Sequence, residues 1–169
     1  MRHVVGGRAR ERHAASTSVM SVFETGVLTQ RKNLKALMNL SGQWIDHLHR
    51  RKPLREIVLD LDSSESETYG QQEGSAYNGY FRCRCYHPLF CFNQFGDLER
   101  AMLRTGNVHS ADDWRSLLEP VVARYRGQEI RLFFRGDAAF GQPAIYEFLE
   151  EEGYLYAIRL LANCVVRQD

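Results

Sequence analysis

Residues 56–62 read EIVLDLD. The alternation puts Ile57, Leu59 and Leu61 on one face of a strand and Val58, Asp60 and Asp62 on the other. The segment is thus committed to a sheet, and it ends on a carboxylate. A second segment, EIRLFFR at 129–135, runs into Gly136 and Asp137. Two strands ending in acids frame everything else in the chain.

Upstream the period is helical. Between 31 and 50, Leu34, Leu37, Met38, Trp44, Ile45 and Leu48 fall on one stripe, with Ser41-Gly42 predicted to divide it into two helices. Arg50, Arg51 and Lys52 close the stripe and Pro53 ends it. Residues 1–28 are polar and without clear period, which predicts an arm. The expected division is an N-terminal arm and helical segment over 1–54, then an α/β domain over 55–169.

Past the first strand, residues 63–79 read as a polar loop. YFRCRCYHPLFCF at 80–92 reads as one aromatic-rich strand, Asn93 to Asp97 as a turn, and 98–104 as a third strand ended by Gly106-Asn107. Ser110 is the expected N-cap of a helix, with Asp112 and Asp113 in its first turn. The stripe Trp114, Leu117, Leu118, Val121, Val122 and Tyr125 follows, with Pro120 predicted to kink or shorten it. After the fourth strand, Pro143 suits the first turn of a helix through Glu151, and Gly153 stops it. YLYAIRL at 154–160 is the fifth strand. The order is β-β-β-α-β-α-β. The first three strands predict an antiparallel meander, and the last two, reached through helices, predict parallel pairing.

A chain of 169 residues is long enough for one domain with a core. Its net charge of +1 gives no bulk attraction to a polyanion, so nucleic-acid contact must come from local clusters. The start MRHVVGGRARERHAAS does not read as a secretory signal, and no run approaches the ~18 apolar residues of a membrane span. Of the cysteines Cys83, Cys85, Cys91 and Cys164, three crowd one apolar run. That suits a reducing cytoplasm better than a disulfide framework.

If the fourth strand lies parallel beside the first, Asp62 and Asp137 meet at the carboxyl edge of the sheet, where ligands of such sheets bind. Strands ~4.8 Å apart let two carboxylates share a hard cation such as Mg²⁺. Two such ions roughly 3.5–4 Å apart can activate water and stabilise a leaving oxygen at phosphorus. Alternatively Asp62 caps a strand end and Asp137 serves a turn. Asp60, on the same face one step deeper, competes with Asp62 as ligand. Glu65, Glu67 and Glu73 read as a solvated loop.

Three long stretches carry a resemblance: VLDLDSSESETYGQQEGSAYNGYF, CYHPLFCFNQFGDLERAMLRTGNVHSADDW and RLFFRGDAAFGQPAIYEFLEEEGYLYAIRL. The arm VVGGRARERHAASTSVMSVFETGVLT and the helix NLKALMNLSGQWIDHLHRRKP add to it. Over nearly its whole length the chain resembles the DDE group of bacterial insertion-sequence transposases. The resemblance implies a ribonuclease-H-like mixed sheet with the fourth strand beside the first. It also implies an Asp, Asp and Glu holding two Mg²⁺ ions, and an activity that cleaves the ends of a DNA element and joins them to target DNA. The first two acids carry over to Asp62 and Asp137.

The glutamate is expected beyond Asp169, so the catalytic domain is expected to be partial and incomplete at its C-terminus. MRHVVGG resembles an internal family stretch, and LLANC departs from a family-like LPANR at Leu161 and Cys164. Expected partners are DNA, at element ends and target, and intact transposase protomers, with no membrane. The expected location is the bacterial cytoplasm, with the nucleoid when bound to DNA. The alternative is an inactive remnant, inert or interfering with intact enzyme.

Other signals are weighed on geometry. In a straight strand Cys83, Cys85, His87 and Cys91 face one side at ~6.8 Å steps, too far apart for one zinc ion, and read as core. Arg135-Gly136-Asp137 spells an adhesion tripeptide, but at a strand end Gly136 is expected to let the backbone turn and approach a metal or phosphate. Arg135, Arg82 and Arg84 are candidate DNA contacts, with Arg50, Arg51, Lys52 and Arg55 as a further basic run. Tyr69, Tyr77, Tyr80 and Tyr86 are expected mostly to pack or anchor loops, and His109 to be structural.

Overall fold

A computed structural model describes residues 15–160; Leu161, Cys164 and the MRHVVGG stretch lie outside them. Among the described residues no helix is long and apolar enough to cross a membrane. Two compact units divide between Asn39 and Leu40. In the first, α1 (Thr17–Phe23) opens on Ser16, whose Oγ accepts a hydrogen bond from the Val19 amide, and runs into a π-helical turn at Glu24–Leu28. Helix α2 (Arg31–Arg51) is continuous across the boundary.

The continuity of α2 corrects the expected break at Ser41-Gly42. Gly42 is buried, and a Cβ there would collide with the Arg124 guanidinium. Ser41 Oγ donates to the Glu99 carbonyl at 3.3 Å. The pair marks a close approach by other parts of the chain and leaves the helix intact.

The larger unit is built on five strands in the order β6-β5-β1-β7-β8: β1 (Glu56–Ser63), β5 (Leu89–Asn93), β6 (Leu98–Met102), β7 (Arg131–Gly136) and β8 (Leu155–Ile158). β1 pairs antiparallel with β5 and parallel with β7; β5 and β6 are antiparallel, β7 and β8 parallel. This is the mixed ribonuclease-H-like arrangement, with the central strand taken from the start of the domain. The small sheet β2-β4-β3 joins β2 (Ser66–Glu67), β3 (Ala76–Asn78) and β4 (Cys83–Tyr86).

That second sheet revises two expectations. The 63–79 segment contains two short strands, and the 80–92 run is two strands parted at His87-Pro88. Proline cannot donate to a ladder, so the chain changes sheets there. Cys83 and Cys85 therefore belong to a different sheet from Cys91, which is buried in the core with its thiol pushed up to about 12 by burial.

The apolar alternation of β1 works as read. Ile57, Leu59 and Leu61 are buried beneath α3 (Trp114–Tyr125) and α4 (Pro143–Glu151), together with Leu117, Val121, Ile145 and Leu149. Each such side chain contributes about 1.5–3 kcal/mol by leaving water. Helix α3 begins at Trp114, after Asp113 at φ 57°, so Ser110 is not its cap. Residues 109–112 are instead gathered by buried Arg104, which donates to the His87, His109, Ser110 and Asp112 carbonyls. Nor does Pro120 shorten α3. It is exposed, and the carbonyl its missing N–H leaves free can meet water.

Candidate metal centre

The parallel register of β1 and β7 runs from Glu56 opposite Arg131 to Leu61 opposite Gly136. The next residues in step are Asp62 and Asp137. Alternation puts both on the face opposite the core residues Leu59 and Leu61. Both are exposed, and they follow directly on the last paired residues of strands whose ordinary spacing is ~4.8 Å. Each carboxylate is oriented locally: Asp62 Oδ1 accepts from the Ser63 amide at 2.8 Å, and Asp137 Oδ1 from the Ala139 amide at 2.9 Å. The latter bond caps the short 3-10 turn Ala138–Phe140. The strand-cap and turn functions leave each group its second oxygen.

One pleat deeper, Asp60 lies opposite Arg135 and accepts a hydrogen bond from Arg135 Nη2 at 2.6 Å. Asp60 is thus already matched to a cation, while Asp62 is not. Asp60, Arg135, Asp137, Ala157 and Arg159 line an open groove across the ends of β1, β7 and β8; Asp62 is not among its lining residues. Arg159 had no signal in the sequence beyond its charge. It follows β8, and its amide donates to the Gly136 carbonyl at 3.2 Å, which extends the parallel ladder to the row of Asp137.

The donor set suits a hard, oxygen-seeking cation. Mg²⁺ is bound through one or two carboxylates and keeps several waters, so two exposed carboxylates with free oxygens fit it. Among the described residues, no group of three or more His, Cys, Asp or Glu side chains converges on a metal site.

Gly136 lines the same groove, as a close approach to a ligand requires, but it does not supply the backbone freedom expected of it. Its φ is not positive, and a Cβ would meet Phe134 and Phe140 at 3.2–3.3 Å. The glycine makes room for Phe140 in the core.

Other candidates lie elsewhere. Arg82, at φ 59° in the turn before β4, and Arg84 in β4, which donates to the Ser75 carbonyl at 2.8 Å, do not line the groove. Arg50 donates to the Asp46 carbonyl of its own helix. Tyr69, Tyr77 and Tyr80 are exposed, contrary to the packing expected; Tyr86 does anchor a loop, donating to the Glu73 carbonyl. His109 Nδ1 accepts from the Ala111 amide at 3.2 Å, a structural role.

The sequence model of a family described as transposase DDE domain group 1 matches residues 1–169. No curated protein matches the chain in sequence. Among solved structures, the chain is similar to the Mos1 strand transfer complex at 15% identity and a TM-score of 0.38, over 70% of this chain and 39% of that one. It is also similar to the Mos1 transposase paired-end complex with left transposon end, at 12% identity and a TM-score of 0.38, over 92% of this chain and 53% of that one. The chain thus spans about half or less of these chains.

Proposed function

Because the chain belongs to the transposase DDE domain group 1 family, we propose that it carries part of a site for cutting DNA strands at element ends and joining them to target DNA. Asp62 and Asp137 are its paired metal ligands in this reading, and Mg²⁺ is the cation. The reading is carried by one observation: the parallel register ending at Leu61 and Gly136, with both acids next in step.

When bound, such a cation supplies Lewis-acid stabilisation of charge at a phosphate under attack. The residues do the rest. The Ser63 and Ala139 amides hold the two carboxylates in fixed orientations. The Asp60–Arg135 pair keeps a guanidinium on the groove face, where its remaining N–H groups are available to a phosphate. Arg82 and Arg84 are assigned sequence-independent phosphate contacts at the small sheet. Residues 55–169 act as the catalytic domain and 1–54 as its arm and helical segment. The working location is with DNA in the bacterial cytoplasm.

In an intact family member, Asn at the positions of Asp62 or Asp137 should abolish strand cleavage while DNA binding persists. Unchanged cleavage would reject the assignment. The alternative, a polypeptide that is inert or interferes with intact protomers, is separated by co-expression with an intact copy: interference lowers transposition.

A further inference from the structure

Across three adjacent strands the structure sets a row of charged residues: Asp62 near the end of β1, Asp137 after β7 and Arg159 after β8. The row below it reads Asp60, Arg135, Ala157. The lower row closes on itself, because Arg135 is paired with Asp60. The upper row does not. Among the described residues Arg159 has no carboxylate within ion-pairing distance, and it is exposed on the wall of the groove that Asp137 also lines.

A DNA phosphate entering this groove meets the Asp137 carboxylate, whose repulsion opposes it. A guanidinium one strand away offsets that repulsion and offers forked N–H donors to the non-bridging oxygens. Arg135 is less free for the task, since part of its fork is spent on Asp60. We propose that Arg159 is the phosphate-binding residue of this site, holding the DNA backbone beside Asp137. The proposal rests on the reading of Asp62 and Asp137 as a DNA-processing centre and adds the residue that receives the substrate.

The test is fluorescence anisotropy of the whole 169-residue chain with a short labelled duplex of arbitrary sequence. It is run in EDTA from about 50 to about 200 mM KCl, so that charge is read without any divalent cation. Arg159→Gln should weaken binding roughly fivefold at the lowest salt and reduce the slope of log affinity against log salt by about 0.9, one phosphate contact. Arg159→Lys should keep the parent slope. Arg131→Gln, an exposed arginine paired with Glu56 at the opposite end of β7, should leave the slope unchanged. A parent-like slope in Arg159→Gln, or an equal loss in Arg131→Gln, overturns the proposal while leaving the DNA reading in place. A parent chain that does not bind the duplex at all overturns both.

Discussion

Arg135 Nη2 donates to Asp60 Oδ2 at 2.6 Å, on the sheet face that also carries Asp62. The pairing separates two acids that alternate identically along β1. Asp60 has its charge matched by a neighbour, whereas Asp62 offers a free oxygen at the strand end.

The expected consequence is a split in metal affinity. Asp60→Asn should leave Mg²⁺ binding within about threefold of the parent, whereas Asp62→Asn should weaken it roughly tenfold or more. Calorimetric titration of both variants measures the difference. Equal losses would mean that Asp60 shares the metal.

A second expectation concerns Gly42. Replacing a helix-interior glycine by alanine ordinarily stabilises by about 1 kcal/mol. Here the new methyl group would displace the Arg124 guanidinium, which pairs with Asp46 at 3.2 Å and with fully buried Glu99. Glu99 also accepts from Asn93 at 2.9 Å and from the Tyr125 hydroxyl at 2.7 Å. Disturbing a buried charge that relies on its partner reverses the sign, so Gly42→Ala should lose about 2 kcal/mol in urea unfolding. A stabilised variant would show that Arg124 moves aside freely.

His49 gives a pH signature. Its Nε2 is buried and has no hydrogen-bond partner among the described residues, and burial lowers its pKa from the ordinary 6.5, against the opposing pull of Asp46. The unfolded chain therefore takes the proton first. Stability is fully present above pH 6.5 and falls as pH drops through the window between that value and the lower folded one. Urea midpoints followed from neutral to mildly acidic pH should decline less steeply in His49→Gln than in the parent. Parallel declines would assign the effect to other groups.

Much of the architecture could be read from alternation. Ile57, Leu59 and Leu61 identify β1 and its buried face, and the helices between the later strands dictate parallel pairing. What escaped depended on contacts between distant parts of the chain. Ser41-Gly42 looks like a helix break until Arg124 arrives across it. Ser110 looks like a cap until Arg104 draws the 109–112 carbonyls together. Gly136 suggested backbone freedom, but its missing Cβ serves Phe140. The same limit applied at the candidate centre: strand ends pointed to Asp62 and Asp137, but the partner of Arg135 and the exposure of Arg159 depend on the register between strands.

The amides of Ser63 and Ala139, each bonded to one of the two carboxylates, are reporters for the shared cation. In an NMR titration of the chain with Mn²⁺, both signals should broaden together at the lowest additions, and Asp62→Asn should abolish the effect at both. Broadening of one signal without the other, or first appearance at sites remote from both, would contradict a metal held jointly by Asp62 and Asp137.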